Sequence, residues 1–154
     1  MAFELTRSLQ RRDITVDYLI VAASRAPQHV KTRERLHQLP DNKFVRKIQK
    51  RYAAIPEQVL ANEEAKRLLM PMLRADVKMF ETYTYREGPK LACPILAMGG
   101  TDDKMVSIRH LFAWRNQTNS FWQRTFPGDH YFIRQSTASV LKTIQRSLKP
   151  LIVA

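Results

Sequence analysis

Apolar residues recur along this chain in two rhythms, and their succession predicts helices and buried strands in turn. Over residues 2–11, Ala2, Phe3, Leu5, Thr6 and Leu9 fall on or near one helical face, with Arg7, Gln10 and Arg11 opposite. No capping Ser, Thr, Asp or Asn precedes this helix, so a further segment is expected before it. The stretch 17–24 holds a continuous apolar run, Tyr18 to Ala23, expected as a strand buried on both faces. Helix followed by buried strand is the rhythm of an α/β sheet.

From about Arg33 to Arg86 the pattern turns helical and highly charged. Asp41 or Asn42 is placed to cap a helix running through Arg51 with Phe44, Val45 and Ile48 inward. Pro56 is placed to start a short helix, and Asn62 to cap a third over 63–80. That third helix carries Leu69, Met72, Leu73, Val77 and Phe80 at helical spacing, and Pro71 is expected to kink or divide it. The Met and Leu stripe reads either as packing against a sheet or as a lid over an acyl-binding groove, which flexible methionines suit. Residues 83–89 form a return loop, 91–98 a second buried strand ahead of a glycine pair, and 107–117 a helix with Ile108, Leu111, Phe112 and Arg115 three or four apart. Alternation over 121–126 predicts a half-exposed strand near a sheet edge, and 137–148 a closing helix with Val140, Leu141, Ile144 and Leu148 inward.

Composition bounds the class. At 154 residues and 44% hydrophobic the chain suits one globular domain over 1–154, and with no signal peptide or long apolar run it is expected in the cytoplasm, away from membranes. Cys93 is the single cysteine, so no internal disulfide forms; preceding Pro94 at the start of an apolar strand, it reads as a buried structural thiol. The net charge of +12 favours acidic partners. The basic residues are spread along the whole chain and no nucleic-acid motif accompanies them, so no nucleic-acid partner is expected.

Candidate chemistry lies in two runs near the C-terminus, residues 95–106 and 126–132. In a parallel α/β sheet, functional groups gather where strands end at their C-terminal rim, and Asp102, Asp103 and His130 all occupy such places. A histidine base needs a carboxylate that fixes its tautomer and stabilises the imidazolium. The plainer alternative is that Asp102 or Asp103 caps the helix near Ser107 and His130 is a turn residue. His29, His37 and His110 have no Cys or acidic partner at metal-ligand spacing, so no metal site is expected.

These runs resemble the C-terminal part of type II thioesterases, the stand-alone α/β-hydrolases of nonribosomal peptide and polyketide pathways. The resemblance covers almost the whole chain. It is carried by Ala2-Phe-Glu-Leu, Ser24-Arg-Ala-Pro27, Leu36-His-Gln-Leu-Pro40, Leu73-Arg-Ala-Asp76, Glu81-Thr-Tyr83, Gly99-Gly-Thr-Asp-Asp103, Trp114 and Phe126-Pro-Gly-Asp-His130. It implies a partial α/β-hydrolase fold, with C-terminal parallel strands, flanking helices and a helical lid inserted at 33–86. It further implies His130 as general base, with Asp103 as its acid partner and Asp102 as the alternative. Gly100, Asp103 and Val106 fit the hydrolase spacing. No cofactor is implied, because the acyl or peptidyl group rides on the phosphopantetheine of a carrier protein. A nucleophilic serine would attack that thioester.

The chain departs from the family at that serine. Gly-x-Ser-x-Gly forms the nucleophile elbow, yet the four glycines, at 88, 99, 100 and 128, bracket no serine at that spacing. Ser8 lies too deep in the first helix, and Ser24 follows a strand without opening a helix. By resemblance the serine would sit just before Met1, on a missing N-terminal fragment, and the chain alone is expected to be inactive. Lys43, Arg46, Lys47, Lys50 and Arg51 form a basic helical face, read either as solvated surface or as a docking site for an acidic carrier protein.

Overall fold

A computed structural model describes residues 1–30, 34–52 and 55–152. The chain divides into two compact units, Met1–His29 with Tyr85–Ala154, and Val30–Thr84. The expected insertion boundary at Arg33 lies outside the described residues.

The first unit is built on three parallel strands, β1 (Leu19–Ala22), β2 (Ile95–Gly100) and β3 (Phe121–Phe126), in the order β1-β2-β3. Leu19 pairs with Ile95, and Ile95 with Phe121. As the central strand, β2 is buried at every residue, as its unbroken apolar run requires. Its alternate residues feed two cores. Ile95 and Ala97 pack with Phe3, Val21, Leu111 and Trp114, while Leu96 and Met98 pack with Phe126, Phe132 and Val140.

The sequence pattern overstates several faces. β1 buries Leu19 and Val21 in one core and packs Tyr18, Ile20, Ala22 and Ala23 against the other, where they stay partly exposed, so the second face of the run 18–23 is covered only in part. The second strand begins at Ile95, not at 91, because Pro94 has no N–H for a ladder; its carbonyl instead accepts from Leu19 N. It also extends through both glycines. In α1 (Ala2–Gln10) the inward residues are Phe3 and Thr6, whereas Leu5 is 59% exposed. Arg7 and Gln10, expected outside, turn toward the return loop instead: Arg7 donates to the Arg86 carbonyl and Gln10 brackets Lys90 O and Ala92 N.

After β2, the expected helix 107–117 is α5 (Ile108–Phe112) followed by a 3-10 turn over Ala113–Gln117. The tightening rotates Leu111, Trp114 and Gln117 inward and leaves Ile108, Phe112 and Arg115 exposed. The C-terminal end holds α6 (Phe132–Gln135) and α7 (Thr137–Ile152), where Val140 is buried but Leu141 is exposed.

The second unit contains a 3-10 turn at Leu36–Gln38, α2 (Asp41–Tyr52), α3 (Glu57–Ala61) and α4 (Glu63–Glu81). Phe44 and Ile48 of α2 are fully buried against Leu36, Ile55 and Met70. The Asn62 side chain caps α4 by accepting from Ala65 N at 3.0 Å. Pro71 does not divide α4, which runs unbroken for 19 residues. Its inward stripe is Leu69, Met70, Leu73 and Val77; Met72 and Phe80, expected inside, are exposed.

Candidate active site

The rim where β2 and β3 end is assembled by backbone. Gly100 closes β2, and the chain beyond it stays bound to the loop after β3: Thr101 N donates to Phe126 O and Asp102 N to Gly128 O, both at 2.9 Å. Gly100 permits this approach. A Cβ there would stand 2.2 Å from the Asp129 carbonyl oxygen and 2.3 Å from that of Gly128. Gly128 itself turns at φ 123°, a conformation that side chains oppose. β3 stops at Phe126, four positions before His130, so the histidine stands in the following turn and not at the strand end.

His130 Nδ1 lies 2.9 Å from Asp103 Oδ2. The Asp103 side chain is wholly buried, while the His130 side chain is 24% exposed. Oδ1 of Asp103 accepts from Met105 N at 2.7 Å and Val106 N at 2.9 Å, so the carboxylate also closes its own turn. Burial works to raise the Asp103 pKa, but the hydrogen bonds from Val106, His130 and Met105 outweigh it and hold the carboxyl below its ordinary range. An ionised carboxylate only accepts, so Nδ1 carries the proton and Nε2 is the free base position. Among the described residues Nε2 has no hydrogen-bond partner.

Asp102 stands apart, exposed, accepting from its neighbour Thr101 Oγ1 at 3.3 Å. Neither aspartate caps α5: Ser107 does so, in a capping box with His110, whose Nδ1 faces Ser107 N at 3.3 Å. Ser8 lies within α1 and Ser24 is exposed beyond β1, its carbonyl accepting from Trp114 Nε1.

The sequence offers no local signal for a second buried pair. His37 Nδ1 lies 2.5 Å from Glu81 Oε2, across 44 positions of chain. Glu81 also accepts from Leu36 N and His37 N. Burial opposes ionisation of Glu81, yet the His37 ring and these two N–H groups win and lower its pKa. His37, read from sequence as having no Cys or acidic partner at metal-ligand spacing, thus has an acidic partner far off in the chain. Among the described residues no three His, Cys, Asp or Glu side chains gather as metal ligands, and no helix is long and apolar enough to cross a membrane.

Comparison with known proteins places the chain in a family. The family model described as "Thioesterase domain" matches residues 1–148. This chain belongs to the thioesterase domain family. It is 33% identical over 151 residues to the gramicidin S biosynthesis protein GrsT of Aneurinibacillus migulanus, covering 97% of this chain and 59% of GrsT. It is also 33% identical to thioesterase PikA5 of Streptomyces venezuelae, covering 96% of this chain and 53% of PikA5. Among solved structures it superposes on the type II thioesterase BorB from the borrelidin biosynthetic cluster with a TM-score of 0.81 at 36% identity, covering 96% of this chain and 60% of BorB. The fold is thus the α/β-hydrolase-like fold of these thioesterases, and the family chain described here spans between about half and three-fifths of each of these relatives' lengths.

Proposed function

We propose that this chain supplies the acid and base of a Ser-His-Asp thioester hydrolase of the type II class, acting on acyl or peptidyl groups carried on the phosphopantetheine of a carrier protein. The observation that supports it is the 2.9 Å contact between His130 Nδ1 and a buried, ionised Asp103 that leaves Nε2 open. Nε2 takes the proton of a serine hydroxyl as that oxygen attacks the thioester carbon, and returns it to the departing thiolate. Water, deprotonated by the same Nε2, then releases the acid and regenerates the serine. Asp103 holds the Nδ1–H tautomer and stabilises the imidazolium. The reaction needs no cofactor, and its setting is the cytoplasm, with neither nucleic acid nor membrane as partner. The nucleophile in this reading lies outside these 154 residues, so the chain alone does not turn over.

The test is hydrolysis of an acyl-carrier thioester by the 154-residue chain, alone and together with an N-terminal half of a relative that carries Gly-x-Ser-x-Gly. Activity is expected only in the pair, and should vanish with His130→Ala. Substantial turnover by the chain alone would sink the divided-site reading.

A second reading rests on the second unit, as a non-catalytic module that binds an acidic carrier protein. Lys43, Arg46, Lys47 and Lys50 are all exposed on α2; the Arg51 side chain lies outside those described. A groove in this unit is lined by Val45, Leu60 and Met70 and by the cations Arg46, Lys50 and Arg67, with the acids Asp41 and Glu63 also on its wall. Charge reversal at Arg46 and Lys50 should weaken carrier binding; unchanged affinity removes this reading.

A further inference from the structure

A second concentration of positive charge lies in the first unit and takes no part in the chemistry above. His29, Arg109, His110, Phe112, Ala113, Arg115 and Asn116 surround a pocket of about 420 Å³. No carboxylate lines it. Four cations elsewhere do lie beside acids: Arg7 with Glu4, Lys47 with Glu34, Lys66 with Glu63 and Arg74 with Asp41. Among the described residues neither Arg109 nor Arg115 is paired with an acid. Arg25 stands nearby, tied by its guanidinium to the Met105 carbonyl at 2.8 Å.

Two of the side chains are held ready to donate. The Arg115 guanidinium lies over the Phe112 ring, 4.2 Å from its centroid, which fixes its plane. His110 Nδ1 is occupied by Ser107 N in the α5 capping box, so Nε2 is the ring nitrogen left to donate. Burial lowers the His110 pKa, and Arg25, His29 and Arg109 beside it lower it further, as expected where basic groups gather without an anion. Planar guanidinium forks with imidazole N–H donors are the groups that recognise phosphate oxygens.

We propose that the pocket formed by His29, Arg109, His110 and Arg115 is a binding site for a phosphate group, as a monoester, a diester or the free ion. It stands on the same chain segment as the acid. From Asp103 to Ser107 is four residues of chain, and from there to His110 one helical turn, so the Cα atoms of Asp103 and His110 are no more than about 19 Å apart. A pantetheine arm anchored here by its phosphate can extend toward the rim of the sheet. Naming that arm as the source rests on the thioesterase reading; the phosphate site does not.

The test uses the full chain with labelled histidines, observed by NMR at constant ionic strength while inorganic phosphate, 4′-phosphopantetheine or unphosphorylated pantetheine is added. Saturable shifts of the His29 and His110 rings are expected with a phosphate compound and none with pantetheine. The double variant Arg109→Gln, Arg115→Gln should bind at least tenfold more weakly; both side chains are exposed, and circular dichroism checks that the fold is kept. Phosphopantetheine binding at least tenfold tighter than inorganic phosphate supports the site and assigns the arm as its source, whereas equal affinities support it with free phosphate as the ligand. Absence of any saturable shift, equal response to pantetheine, or undiminished affinity in the double variant overturns the site. Because the readout is binding, failure of thioester hydrolysis leaves this result unaffected.

Discussion

Asp103 serves His130 with one carboxylate oxygen and its own turn with the other: Oδ2 meets His130 Nδ1 at 2.9 Å while Oδ1 receives the N–H groups of Met105 and Val106. The carboxylate is therefore oriented by backbone. Asp103→Asn keeps the shape but offers an amide N–H where an acceptor is needed, favouring the wrong imidazole tautomer. In the complemented enzyme it should lower kcat by about 10⁴-fold. Asp102→Asn, exposed and away from the ring, should change kcat by less than about threefold. Steady-state kinetics of the two variants separates them.

The Glu81 side chain is buried and accepts three hydrogen bonds, from Leu36 N, His37 N and His37 Nδ1. Arg74 adds a second tie, donating to the carbonyls of His37 at 2.6 Å and Leu39 at 2.8 Å and pairing with Asp41. Glu81→Gln should cost about 1–3 kcal/mol at neutral pH, because an amide cannot satisfy all three donors. The sign with pH follows from the lowered Glu81 pKa. Its stabilisation is complete above the ordinary carboxylate range and is lost as pH falls through the lower folded value. Urea unfolding should therefore show the deficit of the variant shrinking in acid.

Gly100→Ala places a methyl group against the carbonyl oxygens of Gly128 and Asp129, which are backbone and cannot rotate away. We expect a loss of about 1–3 kcal/mol in chemical denaturation. A displaced His130 ring resonance should accompany it, since the same loop carries that ring.

Cys93 is buried, and that burial raises its thiol pKa. The native chain should resist alkylation by iodoacetamide at pH 7 and react fully in denaturant, as read by mass spectrometry. Rapid native labelling would contradict the packing of the β2 entry.

Phe132 is fully buried and stacks on Phe126 with centroids 5.5 Å apart. Phe132→Ala should destabilise by about 3–5 kcal/mol in thermal or urea melts.

Much of this was legible in the sequence because local rules suffice. Helix starts at Pro56 and Asn62, the buried run of β2 and the half-exposed character of β3 each follow from a few adjacent residues, although the alternation of β3 breaks at Thr125 and Phe126. The rim motifs bring Asp103 and His130 together from 27 positions apart, which the Gly-Gly-x-Asp-Asp pattern anticipates. Faces were less legible. Leu5, Met72, Phe80, Phe112 and Leu141 are apolar yet exposed, while polar Gln117 and Thr118 are buried, because burial is decided by which partner the element meets. Thr118 is accommodated by donating to Cys93 O at 2.8 Å, a bond that no spacing announces. The His37–Glu81 pair escapes for the same reason. Pro71 fails as a breaker because the packing of Leu69, Met70, Leu73 and Val77 outweighs the one hydrogen bond it removes.

The strand order also sets an order of assembly. Ile95 and Phe121, partners across β2 and β3, are 26 positions apart, whereas Leu19 and Ile95, partners across β1 and β2, are separated by 76 because the whole second unit lies in that connection. Closing the longer loop costs about 1 kcal/mol more in chain entropy. Pairing of β2 with β3 thus comes first on entropic grounds, with β1 joining late. Asp103 and His130 both belong to the early half, so their contact takes shape as a local folding product of the last sixty residues.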